Sequence, residues 1–314
     1  MLEQVAKKSL IISIILILLA AIISVSVLSI NNVAFAEDED PEEVVTLTPA
    51  SGSTCTITSK NTFVSGSNQT SIFFGVRIVI AETAENVTIA GGLTNSKIVI
   101  EARKTDLNVT LRGSISGYDQ EAVIYNESTK GTVHIINGAS SAINITGKLT
   151  STTGALKDGY DVYGVVASRG NISFEGGAFN IKSSIPVFKG TAFGNMDFGE
   201  TGLQVFGAKD VYIKTTVNIT GGDGVDGLAI GSLHTDGGHG GYAFDGMLAR
   251  VHVESGAYLT LTGGKGGNGD NAPSGEVPGL KGYGGFAYNT SLLTTNWSRI
   301  TTKNGANGSN GHNV

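Results

Sequence analysis

The residues with the clearest chemical spacing in this 314-residue chain are two carboxylates in a glycine-rich stretch, Asp223 and Asp226. Gly221-Gly222-Asp223-Gly224-Val225-Asp226-Gly227-Leu228 fits the pattern G-G-x-G-x-D-x-apolar. In such turns carboxylates and backbone carbonyls supply the oxygen ligands that a hard cation such as calcium prefers. The chemistry needs tandem copies that share each ion. The second copy carries Asn268 where the aspartate belongs and Asp270 in the apolar position. Asp223 and Asp226 are therefore weak calcium candidates, and no metal site is expected. The glycines read as a flexible insertion that exploits positive φ.

Other constellations are thinner. His234, Asp236 and His239 have the side-chain types that bind zinc, but their Gly-rich surroundings predict a solvated polar loop. His134 and His252 occupy the middle of strand-like triplets and should lie on the surface. The body's acids, among them Asp158, Asp161, Glu175, Asp197, Glu200 and Asp210, show no common position with a basic partner. Arg169 and Arg250 read as solubilising turn residues. No Ser-His-Asp order, phosphate-binding loop or dinucleotide fingerprint is present. No catalytic and no cofactor-binding residue is expected. Cys55 is the single cysteine, so no disulfide framework exists, and it reads as a buried, unreactive thiol.

The elements that must position these residues repeat. Ile143-Asn144-Ile145, Phe179-Asn180-Ile181, Val217-Asn218-Ile219 and Leu259-Thr260-Leu261 recur at a pitch of about 36–42 residues, and Leu107-Asn108-Val109 is read as the first of them. A second series is Ile98-Val99-Ile100, Val133-His134-Ile135, Ile172-Ser173-Phe174, Val211-Tyr212-Ile213 and Val251-His252-Val253. Each triplet alternates apolar and polar residues and is rich in β-branched side chains, as half-buried strands are. Three strands per period predict an all-β, single-stranded parallel β-helix of about six rungs over 87–303, with 45–86 as an opening rung or cap. Ile135, Phe174, Ile213 and Val253 should then form one internal column, and Asn108, Asn144, Asn180 and Asn218 one external column. Length variation falls after the third strand of each rung, so insertions such as Thr220 to Tyr242 and Thr262 to Phe286 should emerge on one side. Residues 304–314 begin a further Gly/Asn-rich stretch and read as a tail or a truncated repeat.

The first 36 residues have the form of a signal peptide: Lys7 and Lys8, an uncharged apolar run from Leu10 to Ile30, then Ala34-Phe35-Ala36. Cleavage would fall between Ala36 and Glu37; uncleaved, the segment would be a membrane-anchoring helix. An acidic linker, 37–44, follows and carries most of the net charge of −6. Nothing in the chain is basic enough to attract nucleic acid. The numerous Asn-x-Ser/Thr sequences, such as Asn86, Asn108, Asn144 and Asn218, permit glycosylation but follow largely from the strand pattern.

On the triplets of Val87 to Thr301 and insertions such as Gly237-Gly238-His239-Gly240-Gly241, the chain resembles the pectin-lyase-like parallel β-helix superfamily. It is most similar to the non-enzymatic adhesin and passenger branch of secreted microbial proteins. That resemblance implies a secreted or cell-surface protein that contacts host, matrix or neighbouring cells through an extracellular protein or glycan ligand. The membrane would be touched only through the N-terminal segment. The alternatives are a polysaccharide-degrading β-helix enzyme and a self-assembling surface filament or layer component. No cofactor is expected, calcium aside.

Overall fold

Alternation in the triplets becomes strands of two to six residues, and among the described residues every strand pair but one is parallel. A computed structural model describes residues 43–66, 73–117, 122–147, 164–183, 199–230, 233–246, 248–289, 293–294 and 296–314. The leader with its expected helix, the Ala36/Glu37 cleavage site and all but the end of the acidic linker lie outside the described residues. So do Asp158, Asp161 and Asp197. The only helix among the described residues is the 3-10 turn Trp297–Arg299, and none is long and apolar enough to cross a membrane.

Within Val44–Val314 the chain coils through three parallel sheets in turn. Among the described residues sheet 1 has nine strands, from Val45–Leu47 to Leu293–Thr294. On the same basis sheet 2 has eight described strands, from Phe73–Phe74 to Ile300–Lys303, and sheet 3 has eight, from Thr54–Ile57 to Tyr288–Asn289. One full turn runs through Thr132–Asn137 of sheet 1, Ile143–Thr146 of sheet 2 and Gly164–Ser168 of sheet 3, then enters sheet 1 again at Asn171–Gly176. The core lies between the sheets. Ile135 pairs with Phe174, Phe174 with Ile213 and Ile213 with Val253, all buried, as the stacking of like positions requires. Phe174 also meets Phe179 edge-on at 5.5 Å, joining sheet 1 to sheet 2. Each such side chain contributes about 1.5–3 kcal/mol by leaving water, and neighbouring turns supply the cover that a single turn lacks.

Two expectations need correction in the N-terminal half. Ile98-Val99-Ile100 belongs to sheet 3, where it pairs with Ile124-Tyr125-Asn126. Leu107-Asn108-Val109 belongs to sheet 1 and pairs with Val133-His134-Ile135. The reason is turn length. Paired asparagines are 25 and 22 residues apart early in the coil, but 36 and 38 apart later. A single long period therefore fuses two short early turns. The external asparagine column is accordingly two ladders. Asn61, Asn86 and Asn108 form one on sheet 1, and Asn144, Asn180 and Asn218 form the other on sheet 2.

Candidate binding surface

The insertions leave the coil where the chain passes from sheet 2 to sheet 3, and the last two are not loosely coiled. Five glycine segments, 221–227, 237–242, 263–270, 279–287 and 304–311, lie side by side, joined by backbone hydrogen bonds that recur every third residue. Gly224 and Gly227 donate to the Lys265 and Asn268 carbonyls at 2.7 Å, and Gly266 and Gly269 to Ala306 and Ser309 at 2.8 Å. The first, third and fifth segments thus form one layer. Gly237 and Gly240 donate to Leu280 and Tyr283 at 2.8 Å, so the second and fourth form a returning layer. Bonds such as Gly241 to Gly222 (2.7 Å) and Gly285 to Gly264 (2.8 Å) hold the layers together.

A three-residue period with every bond going to a neighbouring segment is the geometry of the polyproline II helix, packed as in collagen where only glycine fits at the contacts. A Cβ on Gly264 would fall on the Gly222 carbonyl, and one on Gly267 on that of Val225. None of the glycines in these segments has positive φ. The expected reason for the glycines is therefore wrong: they are required for close approach, not for left-handed backbone, and the insertions are hydrogen-bonded sandwiches.

Side chains at the remaining positions point away from the contacts or accept backbone N–H groups. Asp223 and Asp226 each use Oδ1, accepting from the Lys265 and Asn268 amides at 2.7 Å. Asp236 Oδ1 accepts from the Leu280 amide at 2.6 Å, and His239 Nδ1 from the Tyr283 amide at 2.9 Å. His234 is elsewhere. Its Nδ1 lies 2.6 Å from Asp270 Oδ2 and its Nε2 3.0 Å from Glu276 Oε2, so it ties the end of the first sandwich hairpin to the end of the second. The hydrogen bond to Asp270 is the main cause that raises the His234 pKa; partial burial opposes it and Glu276 adds to it. The trio His234, Asp236 and His239 therefore does not converge. Among the described residues no three His, Cys, Asp or Glu side chains are placed to hold a metal ion.

The fourth segment carries the feature that the sequence reading missed. Leu280, Tyr283 and Phe286 are 61%, 59% and 57% exposed and occur at every third residue; Val277, 83% exposed, lies in the loop that precedes the segment. On a three-residue helix the three form one side, about 19 Å from Leu280 to Phe286. Tyr283 stacks on His239 and Phe286 on Tyr242, with ring centroids 5.3 and 6.3 Å apart. The signal was legible as a period of three, which neither strand nor α-helix patterns sample.

A second cluster occupies the outer face of sheet 1. His134, Ser173, Tyr212 and His252 form one column, as their triplet positions required. Burial by itself raises the Glu175 carboxyl, but hydrogen bonds from His134 (2.5 Å), Ser173 (2.7 Å) and Lys214 (3.0 Å) outweigh it and bring the pKa down to about 2. Asp210 is likewise lowered, burial being overcome by a bidentate pair with Arg250 at 2.8 and 2.7 Å and by His252 at 2.8 Å. These acids do have basic partners, against expectation. Arg169 also has partners, the Tyr125 hydroxyl at 2.7 Å and the Phe206 ring at 5.0 Å. Glu200 is buried and accepts from Ser183 at 2.7 Å. Cys55 is only half-buried, and burial raises its thiol pKa.

Comparison with protein-family models, with curated proteins and with solved structures gives no match for this chain.

Proposed function

We propose that this protein is a secreted, surface-displayed β-helix scaffold of the adhesin type, akin to the non-enzymatic branch of the pectin-lyase-like superfamily. It contacts an extracellular protein or glycan through its glycine sandwich. The single observation that carries this reading is the row Leu280, Tyr283 and Phe286, held exposed on a hydrogen-bonded support. A continuous apolar strip in water marks a contact surface more often than a structural one. The reading needs no cofactor and takes Asp223 and Asp226 as backbone acceptors rather than calcium ligands.

The test is binding of purified protein to glycan arrays, to matrix proteins and to intact cells. A variant with Leu280, Tyr283 and Phe286 all changed to serine should keep its far-ultraviolet circular dichroism and lose that binding. Equal binding by both proteins, or none by the natural chain, sinks the proposal.

A polysaccharide-degrading enzyme is the second reading, because Glu175 and Asp210 share the outer face of sheet 1 with cationic partners. The chemistry weighs against it. A general acid or base works best with a pKa near the operating pH, whereas Glu175 is held at about 2 and Asp210 is lowered. New unsaturated or reducing ends after incubation with acidic polysaccharides would favour this reading instead.

A further inference from the structure

Asparagine replaces glycine at one set of contact positions in the fifth segment. Gly221, Gly224 and Gly227 of the first segment donate to the carbonyls of Thr262, Lys265 and Asn268. Gly263, Gly266 and Gly269 of the third donate in the same way to Lys303, Ala306 and Ser309. Stepping one residue on from each acceptor makes Gly263, Gly266 and Gly269 equivalent to the first set, and Asn304, Asn307 and Asn310 equivalent to both.

In the first and third segments this position faces the returning segment of the same turn. A Cβ on Gly224 would fall on the Gly238 carbonyl. On Gly263, Gly266 and Gly269 it would fall on those of Gly285, Gly282 and Gly279. Side chains at 304, 307 and 310 therefore occupy the space that the backbone of a further returning segment would need.

Their chemistry matches that space. Asn304, Asn307 and Asn310 Oδ1 accept from the amides of Ala287, Gly284 and Lys281 at 2.9, 2.9 and 3.0 Å. One turn earlier the corresponding amides of Ala243, Gly240 and Gly237 donate to the backbone carbonyls of Phe286, Tyr283 and Leu280. Three side-chain carbonyls thus stand where three backbone carbonyls stood.

We infer that Asn304, Asn307 and Asn310 are a side-chain cap that closes the returning glycine layer to any further segment, from this chain or from a second copy. Unpaired edge amides invite pairing with another chain, and here they are satisfied from within. The cap also keeps the apolar row open. A further returning segment would stack on Tyr283 and Phe286 as these stack on His239 and Tyr242.

Amide hydrogen exchange of the full chain, read residue by residue, tests the cap. Gly284 should exchange slowly in the natural protein and roughly tenfold faster in Asn307→Ala, the effect of losing one hydrogen bond. Asn307→Asp keeps an acceptor and should restore most of the protection. The same pattern is expected for Lys281 with Asn310→Ala and Asn310→Asp. Each single change removes only one contact at an exposed position, and exchange at Ile135 and Ile213 reports whether the coil remains folded. Unchanged exchange at Gly284 and Lys281 in the alanine variants, with the coil intact, overturns the inference. Equal loss of protection with alanine and aspartate also overturns it, because the acceptor would then not be what matters.

Discussion

The side-chain amide of Asn218 donates to Asn180 Oδ1 at 3.0 Å, one turn away along sheet 2, and Asn180 in turn donates to Asn144 at 3.0 Å. Stacking of equivalent positions makes this ladder continuous, since the strands that carry the three residues pair in register. Asn180→Ala breaks both links at once. It should cost about 1 kcal/mol, the net value of a side-chain hydrogen bond in partial contact with water. Asn144→Ala, at the end of the ladder, should cost less. Urea unfolding midpoints of the two variants check the order.

Phe174 sits fully buried between Ile135 and Ile213 and touches Phe179 across the core. Phe174→Ala should destabilise the coil by about 3–5 kcal/mol through lost burial and the cavity left behind. A smaller effect than that of Asn180→Ala in the same urea titration would contradict the stacked core.

Gly264 has no room for a methyl group against the Gly222 carbonyl, whereas the neighbouring Lys265 is exposed. Gly264→Ala should therefore cost about 1–3 kcal/mol by overpacking and raise hydrogen exchange across 221–227 and 237–242. Lys265→Ala should be close to neutral. Equal behaviour of the two variants would refute the close-packed glycine sandwich.

Glu175 links stability to acid. Its folded pKa, about 2, lies below the ordinary 4.5. The hydrogen bonds that favour the Glu175 carboxylate thus contribute fully above about pH 4.5 and are lost as the pH falls toward 2. The unfolding midpoint of the natural protein should drop through that window more steeply than that of Glu175→Gln. Parallel pH profiles for the two proteins would refute the assignment.

His234 acts in the opposite direction. Its pKa is raised by Asp270 and then Glu276, so its contribution is complete below the ordinary value of 6.5 and fades as the pH climbs through the raised one. The imidazole Cε1 proton should titrate above the ordinary midpoint in nuclear magnetic resonance, and Asp270→Asn should bring that midpoint down. An unshifted midpoint in the natural protein would show that the two carboxylates do not hold the imidazolium.

The alternating triplets determined, without any structure, that the chain forms strands, and that Ile135, Phe174, Ile213 and Val253 share a column. Alternation is local: each strand shows in its own residues which face is buried. The opposition of Asp210 and Arg250 was missed, although both stand just before equivalent triplets. Turn length was not legible. The early turns are short, and nothing within Leu107-Asn108-Val109 says whether it belongs to sheet 1 or sheet 2; only pairing with Val133-His134-Ile135 decides that. Diagonal contacts such as His134 to Glu175 needed the register of that pairing as well. The glycine sandwich was the least legible element. Its segments make their hydrogen bonds to other segments, so no single stretch carries the pattern of a stable element by itself. Tertiary packing turned the glycines at every third position into contacts and the apolar residues at every third position of the fourth segment into a surface.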